Sequence, residues 1–298
     1  MPTADKKSGA CKATFLLLVL TAERKNMNSF MSWVGGKKNL RDEVLARFPP
    51  YYERYIEVFG GAGWVLFHKP PGADFEVYND FNSNLTNLYR CVRDKPNRLK
   101  YKLRYVLDSR EDFDLTSSLH KRGILPRLYD VDRAAKFYQL IRYSYASGLD
   151  SFGSQPHSMW SDFPMIDLAA RRLQKVVVEN KDFEKLIRQY DRPVSFFYCD
   201  PPYFATENYY KDVGFTAKDH IRLRDALLDI KGRFLVSYND CPEIREIWDK
   251  PNTHIEEISR LNNLAQRYDA GCQYGELLIS NYDTSERAKA IRQLSLFD

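Results

Sequence analysis

The tetrapeptide Asp200-Pro201-Pro202-Tyr203 carries the strongest chemical signal in the chain. It follows the apolar run Val194 to Cys199, whose length and aromatic content predict a buried strand. An acid, two prolines and an aromatic ring are therefore expected where a strand of an open α/β sheet delivers its chain, the edge at which such sheets bind ligands. Consecutive prolines remove two amide donors and fix two φ angles. Pro201 stands before another proline and is driven to extended geometry. The result is a stiff turn offering two acceptors, a carboxylate and a carbonyl without a local partner. An exocyclic amine with two N–H groups complements such a pair, and Tyr203 offers a flat face to a planar base. The plain alternative is a sharp strand exit with no chemistry attached.

A second constellation lies upstream. The short apolar run Ile56 to Phe59 breaks at Gly60-Gly61-Ala62-Gly63 and resumes with helix-like spacing from Trp64 to Phe67. Strand, glycine turn, helix is the layout of a nucleotide-binding first βα unit. The pattern Phe59-x-Gly61-x-Gly63 lacks the third glycine of the dinucleotide fingerprint, which disfavours pyrophosphate. A cofactor without phosphates, such as S-adenosylmethionine, suits the shorter turn. The next apolar run, Phe75 to Tyr78, ends at Asn79-Asp80, near the offset at which an acid on the second strand bonds ribose hydroxyls. Earlier still, Trp33-Val34-Gly35-Gly36-Lys37-Lys38 precedes a helix-like stretch from Leu40 to Phe48. As a ligand flap it would pack Trp33 on the cofactor and bring Lys37 to a carboxylate; as an ordinary turn it would leave its lysines solvated.

Together these residues resemble the DNA adenine methylase family, N6-adenine methyltransferases whose recognition region lies between the glycine turn and Asp-Pro-Pro-Tyr. The match spans roughly residues 30 to 285, dense at Trp33 to Lys37, Phe59 to Gly63, Asp80 with Asn82, and Asp200 to Tyr203. The resemblance implies an α/β, Rossmann-like class I methyltransferase sheet with helices on both faces and an inserted, mostly helical DNA-recognition domain. It implies that Trp33, Lys37, Phe59, Gly61, Gly63, Asp80 and Asp200 hold S-adenosylmethionine, and that Asp200, Pro201, Pro202 and Tyr203 face an adenine flipped out of double-stranded DNA. The segment Arg142 to Gly148 departs from the recognition stretch of the cellular enzymes and is closer to phage or prophage members, with or without a restriction partner. Arg142, Tyr143 and Ser147 are the DNA-contact candidates within it.

The elements that must position these groups fall into a recognisable order. Methyltransferase segments are expected at residues 30–100 and 181–284, with the target-recognition insert at 101–180. A helix opens at Thr216 and Asp219, which have capping-box spacing. Strands are expected at Phe234 to Ser237 and Glu276 to Tyr282. His220, at a helix start, could contact a site but is expected to be structural or solvated. Composition fits a folded protein, at 44% hydrophobic and 29% charged, with net charge +5. From Arg98 to Tyr145 there are 11 Lys and Arg against 6 Asp and Glu, interleaved with tyrosines, which suits a nucleic-acid face. The five cysteines have no paired spacing, so no metal site or disulfide framework is expected, and a reduced, cytoplasmic setting is.

The two ends stand apart. Residues 1–29 carry a short apolar run after several lysines, too short to span a bilayer, and read as an extension or an over-long start. The tail 285–298 contains, just before the terminal Asp298, Gln293-Leu294-Ser295-Leu296-Phe297, which resembles the peptides that dock replication proteins on the bacterial sliding clamp. The expected reaction is methyl transfer to adenine N6 without a covalent enzyme intermediate. Alternatives are cytosine N4 or RNA adenine as acceptor, although cytosine enzymes usually carry serine in place of Asp200. A further alternative is a non-catalytic DNA- or clamp-binding factor.

Overall fold

The computed structural model describes residues 27–204, 214–261 and 273–289. The clamp-like residues Gln293, Leu294, Leu296 and Phe297 and most of the N-terminal extension lie outside the described residues.

Seven strands form one mixed sheet of order β3-β2-β1-β4-β5-β7-β6. They are β1 (Arg54–Glu57), β2 (Phe75–Asn79), β3 (Val176–Glu179), β4 (Ser195–Cys199), β5 (Arg233–Asn239), β6 (His254–Leu261) and β7 (Gln273–Ser280). The five strands from β3 to β5 run parallel, and β7 is antiparallel to both β5 and β6. This is the α/β class expected from the sequence. β1 is the middle one of the five parallel strands, flanked by β2 and β4, and the chain reverses its winding there, which opens a crevice at the carboxyl ends of these strands.

Side chains alternate across the sheet, so each face builds its own core. Tyr55, Tyr78, Phe196 and Tyr198 point to one face, beneath α1 (Arg41–Ala46), α2 (Trp64–His68) and α3 (Ser83–Asp94). Ile56, Val77, Phe197 and Val236 point to the other, beneath α8 (Phe183–Tyr190), α9 (Ala217–Leu228) and α10 (Pro242–Trp248). The capping box of α9 forms as its sequence predicts, the Thr216 side chain accepting the Asp219 amide and the Asp219 carboxylate accepting the Thr216 amide.

Between α3 and β3 lie α4 (Pro96–Leu103), α5 (Arg110–Lys121), α6 (Asp130–Tyr143) and α7 (Phe163–Leu173). Their buried residues, among them Leu99, Phe137, Tyr138 and Ile166, merge with Phe30, Leu85 and Tyr89 into the first core. The helical segment is therefore welded to the sheet. A buried ionic cluster reinforces the weld: Arg172 of α7 binds Glu76 of β2 through two nitrogens at 2.6 and 3.0 Å, and Lys69 pairs with the same carboxylate. β3 falls inside the span 101–180 expected for the insert, so the sheet reclaims its last residues.

Gly63 shows how tightly the first turn is specified. It caps α2 with φ 63°, and a Cβ there would stand 2.9 Å from the Tyr89 hydroxyl. Gly63→Ala is expected to lower stability by roughly 1–2 kcal/mol, the cost of a left-handed non-glycine residue. Denaturant titration checks this; an unchanged midpoint would refute it.

Candidate active site

Register brings the chemistry together. Glu57, the last residue of β1, stands opposite Tyr78 on β2 and Tyr198 on β4. The three strands thus release the glycine turn, Asp80 and Asp200 side by side. Asn79 locks the tips, its amide donating to the carbonyls of Val58 (2.9 Å) and Lys181 (3.1 Å). Asp80 accepts the amide of Gly61 at 2.9 Å through Oδ2 and that of Asn82 at 2.8 Å through Oδ1. Burial pushes its pKa up to about 6, against the pull of those two donors. Tyr78 and Tyr89 both donate to the Gly61 carbonyl, at 2.7 and 3.1 Å, and hold the turn from below.

Asp200 is held from one side. Lys37 Nζ lies 2.6 Å from Oδ1, and Ser237 Oγ donates to the same oxygen at 3.0 Å. Oδ2 has no hydrogen-bond partner among the described residues, and the Pro201 carbonyl has none either. Burial raises the proton affinity of Asp200, with Lys37 opposing it. Lys37 is only 6% exposed. It also donates to the Tyr203 hydroxyl, which in turn donates to Glu276, and its Nζ sits 4.3 Å from the Tyr203 ring centre.

These groups line one cavity of about 890 Å³. Asp200 and Tyr203 occupy one part of its wall, Gly61 and Asp80 another. Trp33 lines it too and lies over Gly61, its ring 3.2 Å from where a Cβ would be. Phe59 and Phe81 add aromatic surface, Phe81 being largely exposed. Glu57 completes the floor, accepting the Tyr55 hydroxyl at 2.7 Å. Burial pushes its pKa up to about 8, partly opposed by that bond and reinforced by the charge of Asp200. The cavity thus offers a flat aromatic surface, one unsatisfied carboxylate oxygen, one unsatisfied carbonyl and no metal-binding cluster among the described residues.

Trp33, Lys37, Phe59, Gly61, Gly63, Asp80, Asp200, Pro201, Pro202 and Tyr203 therefore converge, Gly63 as the cap of α2 just behind the wall. Arg142, Tyr143 and Ser147 sit differently. Arg142 binds Asp162 at 2.9 Å and His157 at 3.0 Å; Tyr143 is buried; Ser147 is buried and bonded to Ser32 at 2.6 Å. They brace the loop after α6, whereas their neighbour Tyr145 is exposed. His220 is fully buried against Tyr238, as a structural histidine should be. Glu57, Ser237, Glu276 and Phe81 were not singled out from sequence. The available signal for the first three was a polar residue interrupting or bounding an apolar strand run.

The profile of the D12 class N6 adenine-specific DNA methyltransferases matches residues 33–264. Type II methyltransferase M1.LlaDCHI of Lactococcus lactis subsp. cremoris is 29% identical over 287 residues, covering 89% of this chain and 99% of that protein. DNA adenine methylase of Escherichia coli K12 is 26% identical over 266 residues, covering 79% and 89% respectively. That of Vibrio cholerae O395 is 26% identical over 259 residues, covering 79% and 90%.

Glu57 generates a pH prediction. Its carboxyl stays protonated in the fold up to about pH 8, whereas in the unfolded chain it ionises above its ordinary value near 4.5. The unfolded state therefore holds fewer protons between those limits, and this residue makes stability fall as pH rises through that window. Glu57→Gln removes the slope: its stability relative to wild type should improve steadily from pH 5 to pH 8. Urea denaturation across that range measures it, and a difference independent of pH would contradict the assignment.

Proposed function

As a member of the D12 class N6 adenine-specific DNA methyltransferase family, this chain methylates adenine in DNA, and we propose that it does so with S-adenosylmethionine in the cavity under the glycine turn and with Asp200-Pro201-Pro202-Tyr203 holding the target base. The residues present fit that cofactor. The turn lacks the third glycine of a pyrophosphate site, the cavity volume of about 890 Å³ suits a nucleoside-sized ligand, and Asp80 retains lone pairs for ribose hydroxyls beyond its two backbone bonds. When bound, the cofactor supplies a methyl group on a positively charged sulfur.

The chain's own residues do the rest. Adenine N6 is a poor nucleophile because its lone pair is delocalised into the ring. Asp200 Oδ2 and the Pro201 carbonyl accept its two hydrogens, which turns the nitrogen toward tetrahedral geometry and its lone pair outward. The buried carboxylate, with its raised proton affinity, is placed to receive the proton that the amine gives up. The base must leave the duplex to reach this turn, at a cost of a few kcal/mol, and stacking on Tyr203 offsets part of it. Holding acceptor and donor in one geometry supplies much of the rate. The helical segment between α3 and β3 serves as the target-recognition region, with the loop after α6 overhanging the cavity through Ala146 and Gly148.

The observation that carries this reading is the one-sided saturation of Asp200: Oδ1 has two donors, while Oδ2 and the adjacent Pro201 carbonyl have none among the described residues. Asp200→Ala should abolish labelled methyl transfer to unmethylated duplex DNA while DNA binding persists. Full activity in that variant would remove the assignment, and transfer to cytosine or preferentially to RNA would redirect it.

Cofactor binding should also follow Asp80. Its carboxylate is ionised above about pH 6 and accepts hydroxyl protons best in that form. S-adenosylmethionine affinity is expected to fall several-fold as pH drops from 7 to 5. In Asp80→Asn it should be weak and nearly flat over the same range. Calorimetric titration decides; a wild-type affinity that ignores pH would argue against Asp80 as ribose ligand.

A further inference from the structure

The site holds one lysine between two carboxylates, and the second carboxylate belongs to neither the glycine turn nor the proline turn. Glu276 lies on β7, the antiparallel partner of β5, where Asn239 stands opposite it. Its side chain is 1% exposed. A buried acid is costly unless it is engaged. Glu276 accepts the Tyr203 hydroxyl, and Lys37 Nζ stands 3.9 Å from its Oε2, against 2.6 Å from Asp200 Oδ1.

Two consequences follow. The Tyr203 ring is tethered at its phenol end, so the face it presents to the cavity is fixed. Lys37, drawn by two carboxylates, does not neutralise Asp200 alone: one positive and two negative groups leave the trio with a net negative charge. A lone Lys37–Asp200 pair would be electrically neutral and a weaker acceptor. Other ionisable groups face the same crevice, with Asp80, Lys181, Asp182, Asp219 and Arg222 elsewhere on its wall. Glu57 faces Asp200 from β1 and Tyr198 from β4. Asp240, at the end of β5, approaches Gly275, but its carboxylate is committed to Arg245 at 2.7 and 2.8 Å.

We propose, resting on the reading above, that Glu276 is a positioning residue for methyl transfer: it anchors the Tyr203 ring and shares the charge of Lys37, which keeps Asp200 a strong acceptor for the target amine and leaves one negative charge facing a cationic methyl donor. The residue acts through Tyr203 and Lys37 and touches no reacting atom.

The test uses the full chain, unmethylated genomic DNA and labelled S-adenosylmethionine. Glu276→Gln is isosteric and can still accept the Tyr203 hydroxyl, but it removes the charge; Glu276→Leu removes both. For Glu276→Gln, kcat is expected to fall about tenfold or more, the scale of a hydrogen-bonded buried charge, with the KM for S-adenosylmethionine little changed. The charge of Glu276 raises the proton affinity of Asp200. Its removal should therefore move the acid limb of the kcat/KM profile to lower pH. Glu276→Leu should lose more than Glu276→Gln, and adding Tyr203→Phe to Glu276→Leu should cost little further because the two act as a unit. Wild-type kcat and an unmoved acid limb in Glu276→Gln would overturn the proposal. So would a loss confined to the cofactor KM, or a loss that merely tracks a lowered melting midpoint. Failure of the wild-type chain to methylate adenine would instead overturn the underlying reading, so the two failures are separable.

Discussion

The contact between Lys37 and Asp200 is the point on which the site turns. It joins a loop near the start of the chain to the tip of β4, at 2.6 Å and largely out of water. Burying two ions costs more than their attraction returns unless further polar contacts are supplied. Here they are: Ser237 bonds the carboxylate, while Tyr203 and Glu276 attend the ammonium. The pairing also disposes of one oxygen of Asp200 and leaves the other. A carboxylate fixed in this manner cannot rotate to satisfy itself elsewhere, so its remaining lone pairs point where the backbone aims them. Preorganised acceptors of this kind avoid reorganisation at the moment of reaction.

The sheet makes that pairing possible. Because β1, β2 and β4 are parallel and in register, three turns from distant parts of the sequence leave at one edge. Two cores hold the sheet, and the one that contains the helical segment also contains Phe30 and Tyr89, directly behind the glycine turn. The helical segment and the strand edge that bears the cavity are thus mechanically continuous. The loop after α6 repeats the theme on a smaller scale. Ala146, Ser147 and Leu149 all have positive φ, each a strained choice for a side-chain-bearing residue. Ser32 holds Ser147, and Ser117 donates to the Leu149 carbonyl at 3.4 Å. Strain so constrained keeps Ala146 and Gly148 on the cavity wall.

What could be read in the sequence was what depends on local backbone chemistry. Glycine turns, the proline pair, the spacing of Asp80 and the capping box of α9 are short-range signals, and each lands where it was expected. The groups that escaped depend on pairing across the sheet. Glu57 and Glu276 look like surface acids in a linear reading; they are buried because strand parity turns them to the crevice. β6 was invisible for a related reason, since its charged pattern, His254 to Leu261, is that of an edge strand stabilised by β7. Arg142, Tyr143 and Ser147 show a different limit. Composition marks a basic, aromatic segment, but not which of its residues face inward. Two of the three are spent on Asp162 and Ser32.

The ionisation states complete the logic of the site. Glu57 on β1, Asp200 just past β4 and Glu276 on β7 are three acids that reach one cavity, and three negative charges around Lys37 would repel the electron-rich base that has to enter. Glu57 resolves this by staying protonated near neutrality, because burial outweighs the help of the Tyr55 hydroxyl. Asp200 has the lysine, which opposes its burial directly. Similar carboxyl groups thereby take different states through their surroundings alone. Shifting Lys37 toward Glu57 would ionise the wrong acid, and the acceptor proposed for the target amine would be lost even though every residue of the cavity was still present. The placement of Lys37, more than the presence of the acids, decides which carboxyl group is held ionised.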